Sequence, residues 1–234
     1  MEVSNGNNKE QNDSVEEVTR IDSQYIFDEI GSVLSLKKGI FLSIKEVLLR
    51  PGENIRIFLL EDRTRLVKPI IFLIFCSLFY SILQQTLHFE DAYYDEVYKQ
   101  AGSDAPEVAF SQWVRANYGY ANIVTSIFIA FILKMFFRKH GYNYFELLIL
   151  LLYITGIGML MYGVLGTIES FSGIPLYFPG GIIVFFYTVW AMGQFFGKRK
   201  FINYVKAFFS YALGWVMIML LAGILGILIS LFSK

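Results

Sequence analysis

The sequence predicts an all-α, polytopic membrane protein with about five transmembrane helices, and three observations predict it. Of the 234 residues 55% are apolar, 18% aromatic and only 17% charged, which is too apolar for a soluble domain of this size. The apolar residues fall in uninterrupted runs close to the roughly 20 residues that a helix needs to cross a bilayer core about 30 Å thick. The lysines and arginines, finally, collect in alternate connections between those runs.

The chain divides accordingly. Residues 1–20 carry Glu2, Glu10, Asp13, Glu16 and Glu17 against Lys9 and Arg20, with little apolar content, and predict a disordered acidic tail with no cleavable signal peptide. Residues 21–68 predict cytoplasmic or interfacial amphipathic helices. Ile26, Ile30, Val33 and Leu34 recur at helical spacing, and two further helical stretches flank Arg50-Pro51-Gly52, which interrupts the period. Because basic side chains interleave with apolar ones from Lys37 to Lys68, these helices suit the lipid headgroup layer; packing against the transmembrane bundle is the alternative.

Residues 69–234 form the predicted transmembrane bundle, with spans at about 69–87, 118–137, 145–168, 178–196 and 208–232. The first begins at Pro69, a residue well tolerated in a first turn. Between the first two spans lies an acidic, tyrosine-rich loop, 88–117, in which Glu90 to Lys99 is expected to extend the first helix past the bilayer, with Tyr93, Tyr94 and Tyr98 as an interfacial belt. Of the 20 lysines and arginines, 17 fall in the N-terminal 68 residues or in the stretches 134–140 and 197–206. Five spans with a cytoplasmic N-terminus and an external C-terminus place all of these on one side, as the positive-inside rule requires.

Between Phe41 and Pro69 the motifs are specific. The stretch from Phe41 through Leu49 to Arg50-Pro51-Gly52-Glu53, then Ile55-Arg56, then Asp62-Arg63-Thr64-Arg65-Leu66-Val67-Lys68-Pro69 and an apolar run, resembles a family of uncharacterised bacterial membrane proteins known as a domain of unknown function. The resemblance implies a bacterial inner-membrane location and no particular activity. Many such proteins begin with a cysteine-rich zinc ribbon, whereas this chain has the single cysteine Cys76, so zinc binding is not implied. That one cysteine also excludes intramolecular disulfides.

Charged groups inside a membrane cost roughly 2.5–3.5 kcal/mol at a helix centre and mark functional candidates. Lys134 and Glu146 lie near the predicted cytoplasmic ends of the second and third spans, where they can snorkel or pair with one another. Asn122, Thr155 and Gln194 read as helix-to-helix hydrogen-bonding residues. His88, Glu90, Asp91, Asp95 and Glu96 read as a solvated acidic face rather than a cation site, and His140 as facing anionic headgroups beside Arg138 and Lys139.

No nucleophile elbow, phosphate loop, zinc-protease helix or dinucleotide fingerprint occurs. A net charge of zero gives no support to nucleic-acid binding. The expectation is a non-enzymatic protein without catalytic residues, cofactor or metal. Its basic segment, through Arg50, Arg56, Arg63, Arg65 and Lys68, contacts anionic lipid headgroups or a protein partner. The alternative is a small transporter or channel subunit acting as a homo-oligomer through Lys134 and Glu146.

Overall fold

Five helices of membrane-spanning length organise the chain. A computed structural model describes residues 39–101 and 106–232, all of them within one compact unit. The tail expected over 1–20 and the amphipathic helix expected over 21–36 lie outside the described residues. Helical residues 39–49 (α1) and Pro51–Leu60 (α2) precede α3 (Pro69–Leu87), the short helices α4 (Asp91–Ala101) and α5 (Pro106–Ala116), then α6 (Tyr118–Phe136), α7 (Tyr144–Ser172), α8 (Tyr177–Gly197) and α9 (Phe201–Phe232). Helices α3, α6, α7 and α8, with the stretch Phe201–Leu221 of α9, are long and apolar enough to cross a bilayer. Among the described residues there is no strand, and the chain is an all-α, multi-pass membrane protein.

Helix α7 is the hub. It packs against α3, α6 and α8, while α9 closes a ring by contacting α6 and α8. Buried residues on α7 include Leu147, Leu150, Leu151, Tyr153, Ile154 and Ile157, so this helix is enclosed by protein rather than lipid. Its start is secured by a capping box: Asn143 accepts from the Glu146 amide at 2.9 Å while Glu146 accepts from the Asn143 amide at 2.7 Å. Helix α3 instead sits at the edge. Phe72, Leu73, Cys76 and Tyr80 face the bundle, whereas Ile70, Ile74, Phe75, Leu78 and Ile82 are exposed, a two-sided pattern that lipid satisfies at no cost.

The Arg-Pro-Gly turn seats α2 on the bundle. Pro51 starts α2 at its first position, where its missing N–H is not needed. Asn54, buried, donates to the Glu46 and Arg50 carbonyls at 2.8 and 3.2 Å and so caps the end of α1. Gly52 lies so close to α8 that a Cβ there would be 2.5 Å from the Gln194 carbonyl carbon. Phe58 then meets the Tyr153 ring edge-on at 5.4 Å. The connection from α2 to α3 is tied down by Val67, whose amide donates to Ser43 at 2.9 Å and whose carbonyl accepts from Tyr153 at 2.6 Å. Of the two arrangements open to residues 39–60, α2 is therefore packed on the bundle. Helix α1 buries Ile40, Ser43 and Val47 and leaves Phe41, Leu42 and Leu49 exposed.

Several boundaries differ from those expected. Helix α7 runs through Glu169 and Ser170 and stops at Gly173, left-handed at φ 70°, because backbone geometry and not polarity ends a helix there. Helix α9 begins at Phe201, where the buried Asn203 turns back to cap the Phe196 and Gly197 carbonyls of α8 at 2.9 and 3.2 Å. The first spanning helix does not continue into 90–99: it ends at Leu87, His88 adopts the left-handed conformation at φ 53°, and α4 starts afresh at Asp91.

Because α2 is seated by backbone-to-backbone proximity, replacing Gly52 by leucine should cost about 1–3 kcal/mol by overpacking. Thermal unfolding of the purified protein in detergent measures this as a lowered midpoint, and an unchanged midpoint would show that α2 is not seated on α8.

Candidate functional site

The reversal at His88 creates the most unusual site in the molecule. Turning the chain at this residue sends Phe89 into the bundle, where its ring occupies the space above Gly166 that any larger residue would fill. Glu90 follows it inward and is fully buried. An unpartnered carboxylate in such a place would cost several kcal/mol. Here it is surrounded by donors from three different spans: the hydroxyls of Tyr80 on α3, Tyr118 on α6 and Tyr177 on α8, the last at 3.4 Å. Arg115, from the end of α5, adds its Nε at 3.3 Å and bonds Asp91 with its other arm.

The surrounding rings are packed edge and face. Tyr80 and Tyr118 meet edge-on at 5.0 Å, Tyr162 and Tyr177 lie 5.7 Å apart, and the Arg115 guanidinium rides over the Tyr94 ring at 4.6 Å from its centre. Burial, opposed by a hydrogen bond with Tyr177 and reinforced by the Glu90 charge, pushes the Tyr94 phenol up to about 12. Tyr94 therefore stays protonated around neutrality.

Below Glu90 a cavity of about 420 Å³ continues between α6, α7, α8 and α9. Its walls are the aromatic rings of Tyr80, Tyr94, Tyr118, Tyr162, Tyr177, Phe185, Tyr211 and Trp215, and its polar groups besides Glu90 are Asn122, Thr155 and Thr188. Thr155 and Thr188 lie near the middles of α7 and α8, so the cavity reaches from the α4–α5 end of the bundle to mid-depth. Asn122 donates to the thioether of Met159, a weak acceptor, and Ser126 stands 3.5 Å from Thr155. Such a volume, mostly apolar with a few convergent polar groups, has the character of a small-molecule site. Among the described residues no group of three or more histidines, cysteines or acidic residues is placed to hold a metal ion.

The basic residues and the Lys134 and Glu146 pair singled out from the sequence fall elsewhere. Arg65 pairs with Glu46 at 3.1 Å and Arg56 donates to the Phe195 carbonyl at 3.3 Å, so these two hold the basic segment to itself and to α8. Arg50, Arg63 and Lys68 are exposed. Lys134 and Glu146 do not pair: Lys134 donates to the Tyr142 carbonyl, and Glu146 completes the α7 cap. His140 is not directed at headgroups. Its ring lies edge-on against Phe137 and Phe196, with Nδ1 buried and unpartnered, and burial together with the charges of Lys206 and Lys200 pulls its pKa below the usual value. Asn122 and Thr155, read from the sequence as helix-joining groups, line the cavity.

Glu90 and its partners escaped the sequence reading because an acidic stretch after an apolar run has the pattern of a solvated loop. The available signal was the set of tyrosines, Tyr80, Tyr118 and Tyr177, lying toward the same end of the first, second and fourth apolar runs, together with Arg115 as one of only two lysines or arginines in an otherwise acidic segment.

Residues 38–81 match the family model of DUF3667, a protein of unknown function. No curated protein and no solved structure matches the chain. The DUF3667 match covers α1, α2 and α3 as far as Ser81, so Tyr80 is its one contribution to the walls of the cavity. Glu90, Arg115 and the remaining walls lie outside it.

The Arg115–Glu90 and Arg65–Glu46 pairs differ in burial, and their energies should differ with it. Arg115 is 23% exposed against a fully buried Glu90, whereas Arg65 and Glu46 are 38% and 25% exposed. Arg115→Gln, which leaves Glu90 buried with tyrosines alone, should destabilise by about 2 kcal/mol, and Arg65→Gln by no more than about 1 kcal/mol. Thermal or denaturant unfolding of the two variants measures the difference; equal effects would show that Glu90 does not depend on the guanidinium.

Proposed function

We propose that this chain is a non-enzymatic bacterial inner-membrane protein that binds a small molecule inside its helical bundle. The observation that carries this reading is the fully buried Glu90 carboxylate at the head of an aromatic cavity of about 420 Å³. A carboxylate costs free energy to bury, and a cavity forfeits packing, so a site that combines the two is better accounted for by an occupant than by stability. A binding site reaching mid-depth also suits a carrier, which makes the protein a candidate transport subunit, singly or as a homo-oligomer.

The orientation follows from charge. Arg50, Arg63, Lys68, Lys139, Lys198, Arg199 and Lys200 are exposed at the end of the bundle opposite Glu90. By the positive-inside rule that end faces the cytoplasm and its anionic headgroups. The Glu90 cavity then belongs to the external half of the membrane.

Two experiments test these statements. If the cavity holds a ligand, protein purified in mild detergent should release a small molecule on denaturation, detectable by mass spectrometry. Thr155→Trp, which fills the cavity from α7, should release several-fold less; identical extracts from both proteins would refute occupancy. For orientation, single cysteines at Ser172 and His140 in a Cys76→Ala background should be labelled in whole cells by an impermeant thiol reagent at 172 and not at 140. The reverse pattern would place the basic end outside.

A further inference from the structure

Resting on the reading of this cavity as a binding site, we infer that its ligand is an organic ammonium ion, quaternary or a protonated amine, seated on tyrosine and tryptophan faces with its charge directed at Glu90. The sign of the charge comes first. Among the described residues Glu90 is the one carboxylate in the cavity wall, and no lysine, arginine or histidine lines it. An anion entering would have no counter-charge, and desolvating it alone is prohibitive. Beyond the wall, Glu90 and Asp91 together face a single guanidinium, that of Arg115, with His88 beside Asp91 at 3.1 Å adding a charge only when protonated. The head of the cavity is left with negative charge to be matched.

The kind of cation follows from the walls. A bare metal ion requires several oxygen ligands in a compact shell, whereas here one carboxylate, already surrounded by phenolic donors, stands over aromatic rings. Rings are what alkylammonium groups prefer: the negative face of a π-system attracts a diffuse positive charge and buries its methyl groups together. The site already contains an example, since the Arg115 guanidinium lies over the Tyr94 ring. Tyr162, Tyr211 and Trp215 extend that environment away from Glu90 toward mid-depth, which accommodates an apolar substituent on the nitrogen. A volume of about 420 Å³ suits a compact aryl- or alkylammonium.

The test uses the full chain in dodecyl maltoside, followed by tryptophan fluorescence, with three probes of similar size, the first two of them isosteric. Benzyltrimethylammonium carries the charge, neopentylbenzene replaces the nitrogen by carbon, and 4-tert-butylbenzoate reverses the sign. The ammonium should bind about tenfold or more tightly than the neutral isostere. Glu90→Gln should abolish that preference, so that within the variant the ammonium binds no more tightly than neopentylbenzene. Should that variant fail to fold, Tyr211→Leu keeps Glu90 and the Trp215 reporter and should weaken the ammonium several-fold more than the isostere. Equal affinities, or tightest binding of the benzoate, would overturn the cation assignment while leaving the cavity as a binding site. No binding by any probe would overturn both readings. Competition separates the sources of the ammonium: displacement by dioctanoyl phosphatidylcholine but not by dioctanoyl phosphatidylglycerol indicates a lipid headgroup, and displacement by neither indicates a free amine.

Discussion

A carboxyl group withdrawn from water must be met by hydrogen-bonding partners, and this requirement at Glu90 links the ends of the helices. Tyr80, Tyr118 and Tyr177 come from three spans that are far apart in sequence, and Arg115 comes from a short helix outside them. No pair of these helices needs the others in order to be stable in lipid, where apolar surfaces exert little pull on one another. The shared acceptor supplies what the apolar faces lack: a reason for one mutual arrangement rather than several. The tyrosines are suited to the task because each presents a ring to the bundle and a hydroxyl at its far end.

The other end of the molecule is held by different means. Arg50-Pro51-Gly52 and the segment to Lys68-Pro69 are structural: proline starts a helix, glycine permits contact with α8, Asn54 caps α1, and Val67 is fixed between Ser43 and Tyr153. The segment that matches DUF3667 thus accounts for how the first three helices attach to α7 and α8. The chemistry of the cavity is carried by residues after it.

The fold class was legible because span length and the distribution of basic residues are coarse properties that survive any detail of packing. The spans at 69–87 and 118–136 could be located to within a residue because Pro69 and the polar run before Tyr118 bound them. The C-terminal end of α7 and the start of α9 were not legible, since Gly173 and Asn203 act through backbone angle and capping, which hydropathy does not register. The Lys134–Glu146 pair failed for a related reason: nearness in depth says nothing of which way a side chain turns, and both found backbone partners within a few residues. Glu90 was misread because its burial depends on one left-handed residue, His88, a backbone conformation that hydropathy and charge patterns do not register.

Helix α7 is 29 residues long and its neighbours α3 and α6 are 19 each. At about 1.5 Å per residue the hub measures roughly 44 Å and its neighbours roughly 29 Å. By length α3 and α6 match a hydrocarbon core of about 30 Å, and the hub is long enough to cross it tilted or to project beyond it. A thicker membrane would stretch or tilt α3 and α6 against a core that does not change length. Since Tyr80 and Tyr118 ride on those two helices, bilayer thickness bears mechanically on the grip around Glu90.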